Sequence, residues 1–162
     1  MRAALLSLAL VAAPALAQNA APAVDRSQDI AWHNGQQAYI AALKQEDGWR
    51  PLPGGLKWRR IAGDGSGAHP SVEDVVTVHY AGTFIDGTTF DSSFDRGEPA
   101  SFPLGRLIKA WQLAIPQMGV GDTIELAAPA LLAYGPTGKG PIPGGATLLF
   151  KVQLLGVGEP RN

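Results

Sequence analysis

Residues 75–93 read VVTVHYAGTFIDGTTFDSS, and this stretch decides the fold class. Val76, Val78 and Tyr80 alternate with Val75, Thr77 and His79, so Val75 to Gly82 reads as a strand with one apolar face. The run then meets Ile85-Asp86-Gly87-Thr88. An Asp-Gly pair between two strand-like runs is the strongest short-range hairpin signal, because tight hairpin turns need the positive φ that Gly accepts. Thr88 to Asp91 is the expected returning strand. The pairing is therefore antiparallel, and the rest of the chain is read outward from it.

Upstream, Leu56 to Ile61 (LKWRRI) is a candidate strand that ends at the turn Gly63 to Gly67. Downstream, the period changes. Ile108, Trp111, Ile115 and Met118 recur at helical steps, one face of a short helix. Pro116 disfavours helical geometry at the residue before it and predicts a stop near Ile115. Gly119 and Gly121 turn the chain into a strand over Asp122 to Ala127. Ala146 to Leu155 places Leu148, Phe150, Val152 and Leu154 on one face, and Thr147, Leu149, Lys151 and Gln153 on the other. The expected fold is α+β: an antiparallel sheet with one short helix against one face. Composition agrees. The 162 residues include 20 Gly and 13 Pro, well raised over the usual ~7% and ~5%, while 46% are hydrophobic. That excludes a disordered chain and argues against a helical bundle.

The N-terminus carries an address. Met1 to Ala17 reads MRAALLSLALVAAPALA, with Arg2 as its one charge, an apolar run from Ala3 to Ala13, and the small-x-small site Ala15-Leu16-Ala17. This is the design of a secretory signal peptide, with cleavage expected after Ala17. The apolar run falls short of the ~20 residues that cross a bilayer, so no membrane span is expected after cleavage. The expected location is a bacterial periplasm or the exterior. Gln18 to Arg26 has linker composition. Ser27 or Asp29 is placed to cap a helix over Gln28 to Gln45, with Trp32, Tyr39, Ile40 and Leu43 as its apolar stripe and Gly35 weakening it. This arm is expected to pack on the domain rather than to serve as a dimerisation arm. Gly48 to Gly55 (GWRPLPGG) breaks the helix. The expected organisation is a signal peptide over 1–17, a linker and short helical arm over 18–51, a sheet domain over 52–157 and a tail over 158–162.

Several chemistries are excluded. There is no Cys, so no disulfide, thiolate metal site or Cys nucleophile is possible. The net charge is -1 and no long basic run occurs, which argues against nucleic acid as a partner. Gly135 to Gly140 contains Gly138-Lys139, but Ala133 stands where a phosphate loop needs Gly, and no Ser or Thr follows the Lys. His33, His69 and His79 share no ligand spacing, so neither metal nor cofactor is expected. His79 reads as structural or surface. Asp122 and Glu125 read as solvated strand or turn positions. On spacing alone, Tyr80, Phe90, Phe102, Trp111 and Phe150 read as core aromatics.

A series of phrases remains, in fixed order. They are Val76 to Gly82 (VTVHYAG), Asp86 to Ser93 (DGTTFDSS), Arg96-Gly97-Glu98-Pro99, Phe102-Pro103-Leu104-Gly105 and Leu107 to Trp111 (LIKAW). Leu132-Ala133-Tyr134-Gly135, Ile142-Pro143 and Phe150 to Leu154 (FKVQL) complete it. Each alone is weak; the ordered set, from about Leu52 to Val157, closely resembles the FKBP-type peptidyl-prolyl cis-trans isomerases. The resemblance implies a half-open antiparallel sheet wrapped around one short helix, with an apolar pocket between them and a helical extension before it. It implies an enzyme that accelerates rotation about X-Pro bonds and assists folding of exported proteins. A non-catalytic chaperone or peptide-binding module on the same fold is the alternative.

Carried over position by position, the resemblance makes Trp111 the pocket floor and Tyr80, Phe90 and Phe102 its walls. Leu107 and Ile108 are the branched pair before the helix, and the Ile108 N–H is a ligand donor. Tyr134 is the other donor, Asp91 the acid beside the pocket, Ile142 the loop residue over it and Phe150 the aromatic behind it. The implied catalytic set is Tyr80, Asp91, Tyr134 and Ile108. The implied substrate-binding set is Phe90, Phe102, Leu107, Trp111, Ile142 and Phe150. Implied partners are proline-containing polypeptides, with tacrolimus-type macrolides as inhibitors. Three departures stand out. Ala110 replaces the usual Gly before the helix Trp and would strain the chain if that site demands positive φ. Ala100 replaces a common rim aromatic. Ile142-Pro143-Gly144 replaces the usual Ile-Pro-Pro.

Overall fold

The computed structural model describes residues 21–158, and the expected signal peptide, its cleavage point after Ala17 and the tail beyond Gly158 lie outside them. The sheet begins with β1 (Arg50–Pro51) and β2 (Lys57–Ala62). β3 (Val75–Phe84) and β4 (Thr89–Ser92) flank the Asp-Gly turn, and β5 (Ala100–Pro103) and β6 (Thr123–Ala128) follow. A small ribbon of β7 (Gly138–Lys139) and β8 (Ile142–Pro143) precedes the last strand, β9 (Leu148–Gly158). The main sheet runs β1-β2-β6-β9-β3-β4 with every pair antiparallel. β5 shares the outer edge of β3 with β4: it pairs Val75 to Val78, while β4 pairs Ala81 to Thr83.

The alternation read from the sequence is the observed one. Val76, Val78 and Tyr80 are buried, as are Leu148, Phe150, Val152 and Leu154. These side chains meet Leu56, Leu104, Ile124 and Leu126 in one core. Each full burial of such a chain stabilises by about 1.5–3 kcal/mol. Thr147 departs from the pattern. It is buried, although it belongs to the face read as outward, because the N-terminal helix covers it.

That helix spans Ile30–Ala42, shorter than the expected 28–45, because Leu43 is already extended. Asp29 is its cap and accepts the Trp32 N–H at 2.9 Å. Gly35 lies within it on an open face, where its cost of about 1 kcal/mol is not compounded by any clash. The helix packs on the domain, as expected. Gln36 is buried; its Oε1 accepts the Thr147 N–H at 2.9 Å, and its carbonyl accepts the Thr147 hydroxyl at 3.1 Å.

The core helix spans Lys109–Ala114. It stops beside Ile115, as expected, but other expectations in this region need correction. Ile115 keeps helical angles, φ -63° and ψ -35°, and the chain tightens into a 3-10 turn over Ile115–Gln117 that contains Pro116. Pro is tolerated because the opening N–H groups of a helical turn have no internal partner to lose. Burial of Ile115 and Met118 holds the extra turn in place. Asp122 is not solvated. It is 1% exposed and accepts from the N–H groups of Gly119 at 2.9 Å and Gly65 at 3.0 Å, and from Arg60 Nε at 3.0 Å. Burial pushes this carboxyl up, but those donors outweigh it and hold it below the usual carboxylate range. Glu125 is half-buried and pairs with Arg59 at 2.7 Å. The strain anticipated at Ala110 is absent: it is a buried helical residue, and every positive φ among the described residues belongs to Gly.

Candidate active site

Strand period and register bring the aromatic residues together. Tyr80 points to the buried face of β3 because it shares parity with Val76 and Val78. Gly82 pairs with Phe150 on β9, and Phe90 and Phe102 enter from β4 and β5 on the other side of β3. The core helix supplies Trp111 beneath them. Its ring meets Tyr80 at 5.2 Å, Phe150 at 5.4 Å and Phe102 at 6.4 Å between centroids, all close to edge-on. Phe90 stands edge-on to Phe150 at 5.8 Å. Edge-to-face contacts match the positive edge of one ring to the negative face of the next. Ile142 is buried in the same cluster, while Leu107, Ile108 and Tyr134 are half-buried against it. Tyr80, Phe90, Phe102, Trp111 and Phe150 therefore form one contiguous group of rings, and the expected aliphatic residues and Tyr134 belong to the same hydrophobic core.

Asp91 joins them through Tyr80. The Tyr80 hydroxyl donates to Asp91 Oδ2. Arg96 donates from Nη1 to Asp91 Oδ1 at 2.6 Å and from Nη2 to the Tyr80 hydroxyl oxygen at 3.2 Å. Its guanidinium carbon lies 5.7 Å from the Tyr80 ring centroid. Arg96 was not among the residues assigned from sequence, although it opens the phrase Arg96-Gly97-Glu98-Pro99. The signal was local: a one-turn helix, Ser93–Arg96, follows Asp91 at once and closes on Gly97 at φ 75°. A turn that tight carries the arginine back over the carboxylate.

Ser93 is the second residue missed. β4 and β5 leave a gap along the edge of β3, and the Tyr80 backbone faces it. The fully buried Ser93 fills the gap: its Oγ accepts the Tyr80 N–H at 2.7 Å and donates to the Tyr80 carbonyl at 3.2 Å. Ser93 Oγ also lies 2.9 Å from His79 Nδ1, and Phe94 stacks on the His79 ring at 4.8 Å. His79 is thus structural, as its strand face suggested.

Two phenols at the site are perturbed in the same direction. Burial, reinforced by the hydrogen bond to Asp91, pushes the Tyr80 hydroxyl far above its ordinary range, with Arg96 opposing. Burial and the charge of Asp91 also raise Tyr134. Both therefore remain O–H donors at neutral and moderately alkaline pH. The Ile108 N–H and the Tyr134 O–H have no acceptor among the described residues. The site is a cluster of aromatic rings with a few polar groups at its edge.

Comparison with known proteins fits this geometry. Residues 67–155 match the family model described as FKBP-type peptidyl-prolyl cis-trans isomerase. The chain is 44% identical over 124 residues to the FKBP-type isomerase FkpA of Aeromonas hydrophila, covering 76% of this chain and 46% of that protein. It is 46% identical over 110 residues to FK506-binding protein 1 of Candida glabrata, covering 65% of this chain and 96% of that protein. The crystal structure of FkpA from Escherichia coli superposes with a TM-score of 0.72 at 37% identity, covering 81% of this chain and 60% of that one. The chain spans about half the length of the first bacterial relatives it matches, 46% of one and 52% of another. With the ordered phrases, the sheet topology and the aromatic cluster in agreement, the chain belongs to the FKBP-type peptidyl-prolyl cis-trans isomerase family.

Proposed function

We propose that this chain accelerates cis-trans rotation about X-Pro bonds in exported polypeptides. The observation that carries the reading is the Trp111 floor, edged by Tyr80, Phe102 and Phe150, with the Tyr80–Asp91–Arg96 network at its margin. The X-Pro barrier is close to ~20 kcal/mol and arises from amide resonance. The twisted bond has lost that resonance and is less polar than the planar one, so an apolar enclosure favours it. No nucleophile, metal or cofactor is needed for such a rotation. In this reading the proline ring lies on Trp111 between Tyr80, Phe90, Phe102 and Phe150, with Leu107 and Ile142 at the edges. The Tyr134 O–H and Ile108 N–H donate to carbonyls flanking the twisted bond. Asp91 acts electrostatically and through Tyr80, since rotation transfers no net proton, and Arg96 holds Asp91 in place.

The 1–17 segment has signal-peptide design, which supports a periplasmic or secreted location with cleavage after Ala17. No helix among the described residues is long and apolar enough to cross a membrane. The fungal relative is named for binding FK506, the macrolide tacrolimus, which supports macrolides of that type as inhibitors. The test is cis-to-trans conversion of an Ala-Leu-Pro-Phe peptide with and without tacrolimus. Acceleration that the macrolide abolishes is expected, and Asp91→Leu is expected to lower kcat/KM about tenfold while the protein stays folded. Absence of acceleration by the folded wild type overturns the reading.

A further inference from the structure

We propose that Gln112 is a positioning residue for the Ile108 N–H, and so for orientation of the bound X-Pro carbonyl. The inference rests on the isomerase reading above. Leu107 and Ile108 form a two-residue extended link between the 3-10 turn Leu104–Arg106 and the core helix. Such a link lacks the backbone ladder that fixes peptide planes in a helix or sheet. Here a side chain replaces it. Gln112 Nε2 donates to the Leu107 carbonyl at 2.7 Å and to the Gly105 carbonyl at 3.2 Å. The Gln112 backbone N–H donates to the Ile108 carbonyl at 3.2 Å. The Gln112 side chain thus holds the carbonyl before Ile108, while the backbone N–H groups of Trp111 and Gln112 hold the one after it.

The consequence follows from peptide geometry. The Leu107 C=O and the Ile108 N–H belong to one planar, trans peptide unit and point in opposite directions. Tying the carbonyl to the Gln112 amide aims the N–H the other way. That N–H has no acceptor among the described residues, and the Ile108 side chain packs against the aromatic cluster. The chemistry also dictates the amide's orientation. Both backbone partners of Nε2 are acceptors, so the NH₂ group must face them, and Lys109 Nζ lies 3.3 Å from Oε1 on the other side. The two NH₂ hydrogens serve the two carbonyls. A residue that merely filled space would have no such requirement.

The test compares Gln112→Glu with Gln112→Ala in the full chain. Glu keeps the size of Gln but turns a carboxylate oxygen towards two carbonyl oxygens, so it repels the link that Gln holds. A packing role predicts that Glu is nearly neutral and Ala the more damaging. The positioning role predicts the reverse: Glu lowers kcat/KM about tenfold or more, Ala several-fold, and tacrolimus binding weakens in the same order. Isotope-labelled NMR reads the Ile108 amide directly, and its shift is expected to move more in the Glu variant than in the Ala variant. Urea unfolding of both variants shows that they remain folded. Wild-type acceleration with unchanged kcat/KM in both variants overturns the inference and leaves the isomerase reading intact. Ala more damaging than Glu overturns it too. A folded wild type that accelerates nothing overturns the isomerase reading instead, and the Ile108 amide shifts then still decide whether Gln112 sets that peptide plane.

Discussion

At the scale of single residues, Tyr80 concentrates the chemistry of the site. It is 4% exposed, yet its hydroxyl, ring and backbone are each held by a different partner: Asp91, Trp111 and Ser93. Its raised pKa has a consequence for stability. A group whose folded pKa lies above its unfolded value contributes stability that is complete below the unfolded value, about pH 10 for tyrosine, and is lost as pH rises through the folded value. Wild-type protein is therefore expected to lose stability more steeply above about pH 10 than Tyr80→Phe, with the two curves parallel at neutral pH. Thermal midpoints measured from neutral pH upward check this; parallel curves throughout would show that the phenol is not the linked group. Tyr134→Phe is expected to flatten the same limb, since Tyr134 is raised in the same direction.

Among the elements, β3 does the most to build the site, and Gly82 shows how tightly. Gly82 pairs with Asp91 on one side and Phe150 on the other. A Cβ added there would stand 2.4 Å from Phe90 Cζ and 3.0 Å from Phe150 Cε1. The requirement is one of space, since Gly82 is absent from the residues with positive φ. Gly82→Ala is expected to push Phe90 out of the enclosure and to cost about 1–3 kcal/mol, the usual penalty of overpacking. Urea unfolding reads the cost, and the isomerisation assay is expected to fall with it. The break between β4 and β5 is the second element-scale device. It lets the one-turn helix bring Arg96 back over Asp91 while Ser93 satisfies the strand edge that the break exposes. Alternation could reveal β3 and the Asp-Gly pair its turn, but neither reveals which edge a partner strand leaves unpaired.

For the whole molecule, the N-terminal arm is joined to the loop that carries Ile142. The Ala23 N–H donates to the Gly140 carbonyl at 3.0 Å, and Gln36 accepts from the N–H and the hydroxyl of Thr147 just beyond that loop. Trp32 packs against the core cluster, and a Cβ on Gly145 would meet His33 at 2.5 Å. Gln36→Ala would leave the buried Thr147 N–H without its acceptor and is expected to cost about 1–3 kcal/mol. Gln36→Glu is expected to recover part of that loss, because a carboxylate oxygen still accepts. Equilibrium unfolding of the two variants separates this from an arm that only rests on the surface, for which both would be neutral.

The sequence by itself determined the five longest-patterned strands, the hairpin, the core helix and the family, because periodicity of two, periodicity of helical steps and an Asp-Gly turn are local properties of the chain; the short strands β1, β5, β7 and β8 carry too few residues to show a period. The ordered phrases also determined which aromatics meet, since they come with the family's register. Tertiary structure alone decided the rest. Asp122 looked solvated because two of its three partners, Arg60 and Gly65, lie far away in sequence and become neighbours only when the chain folds. Arg96 and Ser93 gained their roles from a gap in pairing along β3, and Gln112 gained its own from a link that no backbone ladder supports. Thr147 went inside because a helix more than a hundred residues earlier covered it. Asp122, Ser93 and Thr147 found partners across the fold, and burial made those partners obligatory; Arg96 and Gln112 reach partners only five residues away, but through turns that the packed fold holds in place.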